Sequence, residues 1–446
     1  MLNPRHWNEH PLIITQAQLT ECWVGGSLVP LPDLKTSSPR VRDGYNTWIQ
    51  SLTSNYSIDG LRIDTVLQVE KDFWSGFRAA VNDMYMVGEI FQQGVDFVCD
   101  YQNYLSGVFN YPVYFPLINA FKSTSGSMSD LAQKIDETKA TCDDISLLGS
   151  FSENHDNARF PAEQHDISQA SNVITFTMIA DGIPILYQGQ EQHYDARGGA
   201  NDPYNREALW FSGYNTDAEL YKLVANLNKA RKNAIRDDQS FLTTPANVVY
   251  TDSSTIATKK GKLMTVLSNK GSQGDNYTQP IRSYYQSGSS VTELLSCAKF
   301  TSDANSIINV PMSAGMPRVF YPTADLGNLC GGSSSGSVEP YASTDDAVVV
   351  DAAVDTSAAD APAGSEAADA PTDNTSSSDS ASDSAPESYS SSSSSSTVLD
   401  SSMSRPARPS RPNRLNRPYR PSRTRARPSR AKPVRRNNMK ASRWAA

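Results

Sequence analysis

Five short apolar runs, each closing in polar or charged residues, constrain this chain more than any other feature. They are GLRIDTV (60–66), MYMVGEI (84–90), SGVFNYP (106–112), LLGSFSE (147–153) and GIPILYQGQ (182–190). Runs of that length, bounded by turn residues, read as buried strands. Between them, KDFWSGFRAAVNDM, MSDLAQKIDETKA and ISQASNVITFTMIA carry helical spacing. Strand–helix alternation predicts an α/β region with a parallel sheet, ending near residue 236. Past residue 237 the pattern becomes NVVYTDSSTIATKKGKLMTVLSNK and VTELLSCAKF, short strands between turns. That change predicts a small antiparallel β domain over 237–332.

Composition breaks sharply after Cys330. Residues 333–402 are mostly Ser, Asp and Ala, with 13 acidic residues and no Lys or Arg. Residues 403–446 hold 13 Arg and 2 Lys without a single acid, with Arg at every third position from Arg405 to Arg423. Neither segment can bury enough apolar surface to fold, so both are expected to be disordered tails. The basic tail is either a solvated polycation or a dock for an anionic surface. Because the net charge of -8 averages these unlike tails, residues 1–332 carry -10. That acidity argues against nucleic acid as the main substrate. No run of about 18 apolar residues predicts a membrane span, and the first residues, MLNPRHWNEHPLIIT, lack the apolar core of a signal peptide. The five Cys (Cys22, Cys99, Cys142, Cys297, Cys330) have no CxxC spacing, which argues against zinc-ribbon or thioredoxin-type chemistry. Sequons at Asn55, Asn276 and Asn374 are compatible with secretion.

In a parallel α/β barrel, chemistry collects at the C-terminal ends of the strands, where the loops converge. Three predicted strands end in a carboxylate: Asp64, Glu89 and Asp156. Arg62 lies two residues before Asp64 and so shares its strand face, and His155 precedes Asp156. Carboxylates around an apolar barrel mouth suit glycoside hydrolysis, which needs one as nucleophile and another, of raised pKa, as acid. The retaining form of that reaction calls for a spacing of about 5–6 Å. Each residue also has a structural reading: Asp64 with Arg62 as an ion pair, Asp156 as a helix cap.

GLRIDTV, VGEIF, FSENHDNARF and GIPILYQGQEQHY resemble, in order and spacing, the successive barrel motifs of the α-amylase family of glycoside hydrolases. Agreement with secreted fungal members extends through LPDL (31–34), YQNYLSGVFNYPVYFPLINAFKSTSGSM, NDPYNREA and PRVFYPT. The resemblance implies a partial (β/α)8 barrel, strands four to eight, over 41–236, preceded by a remnant of an inserted domain over 1–40. It assigns Asp64 as nucleophile, Glu89 as general acid/base and Asp156 as the third carboxylate, which stabilises the distorted sugar. Arg62 would orient the nucleophile, and His155, Asp202 and Arg206 would bind substrate. The implied reaction is retaining hydrolysis of α-1,4-glucan by a monomer whose intact form is extracellular.

Several departures accompany this likeness. The first three barrel strands have no counterpart, which reads as an N-terminally truncated chain expected to hydrolyse starch poorly or not at all. Leu67-Gln68 stands where the family usually has Lys-His, which leaves room for an α-glucanotransferase acting on cell-wall α-glucan; a non-catalytic remnant is a third reading. For calcium, Asp33 and the Gln68 carbonyl match family ligands, whereas Thr20 replaces a Glu. Disulfides Cys99–Cys142 and Cys297–Cys330 are implied, with Cys22 left free. Tyr101, Tyr111 and Tyr187 are expected to pack rather than to stack on sugar, and His6, His10, His165 and His193 to lie at the surface or behind the site.

Overall fold

The computed structural model describes residues 19–20, 24–25, 30–197, 199 and 201–330. Both tails, Cys22, His6 and His10 lie outside the described residues. A two-residue antiparallel pair, β1 (Val24–Gly25) and β2 (Pro30–Leu31), precedes the helix Pro39–Asn55.

Each of the five apolar runs yields a parallel strand. These are β3 (Gly60–Ile63), β4 (Tyr85–Gly88), β5 (Gly107–Val108), β6 (Gly149–Phe151) and β7 (Ile183–Ile185). β3 pairs with β4 from Gly60↔Tyr85 to Ile63↔Gly88, and β4 pairs with β5. A single parallel bridge, Phe109↔Gly149, carries the ladder to β6, which pairs with β7. The strands therefore lie side by side in chain order, with helices as crossovers. Each strand is shorter than its apolar run because the polar residues at its end leave the ladder. SGVFNYP is the extreme case. Only Gly107 and Val108 are strand, since the Asn110 side chain accepts from Val113 N and starts the helix Tyr111–Phe121, with Pro112 in its first turn.

The crossover helices bury the faces their spacing predicts. Lys71–Ala80 turns Phe73, Trp74 and Phe77 inward, and Met128–Thr141 is capped by Ser127 and buries Leu131 and Ile135. Ile167–Ile179 differs: 12 of its 13 residues are buried, so it has no solvent face. Its polar side chains find partners inside. Asn172 Nδ2 donates to Ser168 O and Gly315 O, and Thr177 Oγ1 donates to Val173 O.

That helix is enclosed because the antiparallel domain packs against it. Six strands lie in the order β13 (Lys299–Thr301), β12 (Ser290–Glu293), β15 (Arg318–Pro322), β10 (Leu263–Ser268), β9 (Thr255–Lys260), β8 (Asn247–Thr251). β11 (Tyr277–Arg282) and β14 (Ile307–Met312) form a separate antiparallel pair. One sheet face closes a core of Met264, Val266, Val310 and Phe320. Its other face sends Leu267, Val319 and Tyr321 into the core built by Tyr111, Phe151 and Phe176 of the parallel region. Asn269 Nδ2 stitches the two, donating to Ala120 O and Gly126 O at 3.0 and 2.9 Å. The paired sulfurs are Cys99–Cys142 and Cys297–Cys330, with Cα atoms 4.8 and 5.7 Å apart.

Candidate active site

The parallel register places Asp64 and Glu89 at one level, each the first residue beyond its strand. Glu89 N donates to Ile63 O at 2.9 Å and Val66 N to Glu89 O at 3.2 Å, extending the ladder one step past the strands. Arg62, on β3, holds both carboxylates: it pairs with Asp64 and sets Nη2 3.1 Å from Glu89 Oε2. Asp64 and Glu89 thus face one guanidinium and influence each other's protonation. The two environments differ: the Asp64 side chain is 62% exposed, that of Glu89 only 11%.

Tyr111 closes the other side of Glu89. Its hydroxyl donates to Glu89 Oε1 at 3.4 Å and accepts from Asn154 Nδ2 at 2.9 Å. Asn154 Oδ1 in turn accepts from the backbone N–H groups of Asp156 and Asn157. This chain of bonds links β4 to the loop after β6. Asp156 is not at a strand end: β6 stops at Phe151, five residues earlier, and Asp156 sits in that loop. It is fixed by side-chain contacts rather than by the sheet. His155 Nε2 and Arg206 Nη2 each lie 3.2 Å from it, and Arg206 Nε is 3.2 Å from Asp202. His155 and Asp156 act electrostatically on Asp64 and Tyr111 respectively, which joins the third carboxylate to the first two. Asp64, Glu89, Asp156, Arg62, His155, Asp202 and Arg206 therefore form one polar cluster at the loop end of the strands.

Desolvation, reinforced by the hydrogen bond to Asp64, pushes the Glu89 carboxyl above its ordinary value. Desolvation also presses on Asp64, but hydrogen bonds from Arg62 and Glu89 outweigh it and hold Asp64 below the ordinary carboxylate range. One group is poised to keep a proton and the other to stay ionised. A cavity of about 310 Å³ adjoins Tyr85 and Ile183 at the opposite ends of β4 and β7 and does not include these residues.

Asp33 and Gln68 do not assemble a calcium shell. Burial, then the nearby Glu70 charge, raises the Asp33 carboxyl, but Glu70 already accepts from Thr36 Oγ1 at 2.6 Å and lies 4.0 Å from Arg42. Among the described residues, no group of three or more His, Cys, Asp or Glu side chains could hold a metal ion. Calcium takes about six to eight oxygen ligands, and the described side chains do not gather such a set around Asp33.

Sequence reasoning missed Tyr111, Asn154, Glu153, Arg159 and Glu207. Tyr111 counted as packing, and it does pack, yet its hydroxyl reaches the site; Tyr101 is fully buried, and Tyr187 lies against Arg159. The signal for Glu153 and Arg159 was their position between Phe151 and Phe160, where charged residues must be paired if buried. Arg159 is fully buried and pairs with Glu153 (3.3 Å) and Glu207 (3.0 Å). Burial pushes Glu153 up to about 7 against the opposing pull of Arg159. The folded chain thus holds this proton more tightly than the unfolded chain. The stabilisation is complete below the ordinary glutamate value of about 4.5 and lost as pH rises through about 7. Glu153→Gln should remove that dependence: urea unfolding at pH 5 and 8 should show a smaller stability difference than in the parent. An equal difference would place its origin elsewhere.

Residues 17–246 match the α-amylase catalytic domain and residues 248–338 match α-amylase domain C. The α-amylase of Saccharomycopsis fibuligera is 42% identical over 315 residues, 71% of this chain and 63% of that protein. Alpha-amylase 1 of Lipomyces kononenkoae is 48% identical over 316 residues, 70% of this chain and 50% of its own length. The solved structure of an α-amylase from Malbranchea cinnamomea superposes with a TM-score of 0.68 at 45% identity, covering 71% of this chain and 67% of that one. The chain spans 50–63% of the length of these two curated relatives.

Proposed function

Because the chain belongs to the α-amylase family, we propose that it hydrolyses internal α-1,4-glucosidic bonds of starch-like glucans with retention of configuration. In this reading Glu89 protonates the glycosidic oxygen as the bond breaks, while Asp64 attacks the anomeric carbon to form a glycosyl ester. Glu89, now a carboxylate, takes a proton from water, whose oxygen displaces Asp64. Arg62 keeps Asp64 ionised, and Asp156, held by His155 and Arg206, stabilises positive charge developing on the ring. Asp202 and Arg206 hold the neighbouring sugar. The observation that carries this reading is two carboxyls at paired strand ends on one arginine, Asp64 open to solvent and Glu89 covered.

The five parallel strands correspond, on this reading, to strands four to eight of a (β/α)8 barrel. Residues 41–236 are its catalytic part, 237–332 the antiparallel domain and 1–40 part of an inserted domain. Two disulfides support an extracellular destination. No described helix is long and apolar enough to cross a membrane.

Reducing-sugar release from soluble starch tests the activity, and its pH profile tests the roles. The profile should be bell-shaped. Its acid limb, set by Asp64 losing its charge, should fall below the ordinary aspartate range; its alkaline limb, set by Glu89 losing its proton, should lie above the ordinary glutamate value. Chain-lengthened products from maltooligosaccharides, without net hydrolysis, would instead indicate a glucanotransferase. A profile insensitive to Glu89→Gln would reverse the assignment of acid.

A further inference from the structure

We propose that Arg159 is a positioning residue: its buried guanidinium clamps the loop bearing His155 and Asp156 to the loop bearing Asp202 and Arg206. This rests on the reading of Asp156 and Arg206 given above and extends it to a residue that touches no substrate. The geometry is specific. Nη1 lies 3.3 Å from Glu153, at the root of the first loop, and donates to Gln188 O at 2.6 Å. Nε lies 3.0 Å from Glu207, the residue after Arg206 on the second loop. Tyr187 stacks on the guanidinium at 4.1 Å and donates its hydroxyl to Asn205 O, tying the same two regions again.

The two carboxylates lock their own loops in turn. Glu153 Oε1 accepts from Phe160 N, and Glu207 Oε1 accepts from Ala196 N at 2.7 Å. Between these anchors the loops also touch directly. Asn205 Nδ2 donates to His155 O and Asn157 O at 3.0 and 2.9 Å, and Arg206 Nε donates to His155 O at 3.2 Å. Glu153 and Glu207 are 54 residues apart in sequence, and one planar fork with several donors spans them. An ammonium on a flexible stem is a point charge and cannot match both carboxylates at once. A small displacement of Asp156 from its place against His155 and Arg206 would cost rate, since misplacement by about 1 Å costs on the order of 100-fold.

The test uses the full chain with Arg159→Lys, and Glu207→Gln as a second variant that keeps the arginine. Hydrogen–deuterium exchange should speed up together at 154–157 and 201–206 in both variants, while the amides of β3, β4 and β10 keep their parent rates. On soluble starch, kcat should fall about 10- to 100-fold with KM changed less than about threefold, because Asp156 acts mainly on the transition state. Unchanged exchange in either loop, or a uniform rise through every strand, would overturn the clamp and leave Arg159 a packing residue. A parent chain inactive on starch would count against the hydrolase reading, and the exchange measurement would still decide the clamp.

Discussion

Glu89→Gln should lower starch hydrolysis by about 1,000-fold, within the range that removal of a general acid/base produces. Glutamine keeps the side chain's shape and its contacts with Tyr111 and Arg62, but cannot lend a proton to the leaving oxygen. The buried setting that raises the Glu89 carboxyl is then occupied by a neutral amide, so folding should be unaffected, and thermal unfolding of the variant should match the parent. Asp64→Asn should be comparably inactive for a different reason: no carboxylate is left to attack the anomeric carbon. The pair can be told apart with a substrate whose leaving group needs no proton, such as an activated aryl maltoside. Glu89→Gln should recover its first, glycosyl-transfer step there, with a burst of aryl release, and Asp64→Asn should not. Retention of more than about a tenth of starch activity by Glu89→Gln would remove Glu89 from the acid role.

The second large effect belongs to the contact between the two folded regions. Lys260, on β9, is 3% exposed in its side chain and places Nζ 2.6 Å from Asp181, which precedes β7. The same ammonium donates to Thr244 O at 2.6 Å, and Asp181 accepts from Ala246 N with both oxygens. Asp181→Leu strands a buried ammonium and should cost about 3–5 kcal/mol at pH 7. Desolvation already lowers the Lys260 pKa against the pull of Asp181, and losing that carboxylate lowers it further. A depressed lysine favours the folded state as it loses its proton, so the loss should shrink as pH rises toward about 10, the ordinary lysine value. Asp181→Leu with Lys260→Met should regain most of the stability, because the paired charges bring little net gain over apolar groups of similar volume. Denaturant unfolding of the single and double variants measures this. A double variant as unstable as Asp181→Leu alone would mean that the pair contributes beyond mutual neutralisation.

How much of the site was legible in the sequence follows from the range over which each feature is determined. GLRID and VGE announce strands followed by carboxylates because strand period and strand ending are local properties. Once β3 and β4 pair in register, Asp64 and Glu89 must meet. Asp156 was named for the right neighbourhood but the wrong cause. Its motif follows β6, yet the residue is held in a loop by His155 and by Arg206, which lies 50 residues further along. Asp33 and Gln68 were read from a likeness of short segments, and a metal shell depends on many oxygens converging, which no short segment specifies.

By itself the sequence determined the alternation of strands and helices, the change to antiparallel strands after residue 237, the family likeness and the identity of the two central carboxylates. Only the tertiary structure supplied the physical reason for the acid and nucleophile roles that the likeness implied, because desolvation depends on what the fold lays over each side chain: Glu89 is covered by Tyr111, and Asp64 is left open. It also decided that Ile167–Ile179 has no solvent face and that Arg159 joins two loops far apart in the chain. Backbone periodicity is set by neighbours a few residues away; burial and ion pairing are set by whatever segments the fold brings together in space.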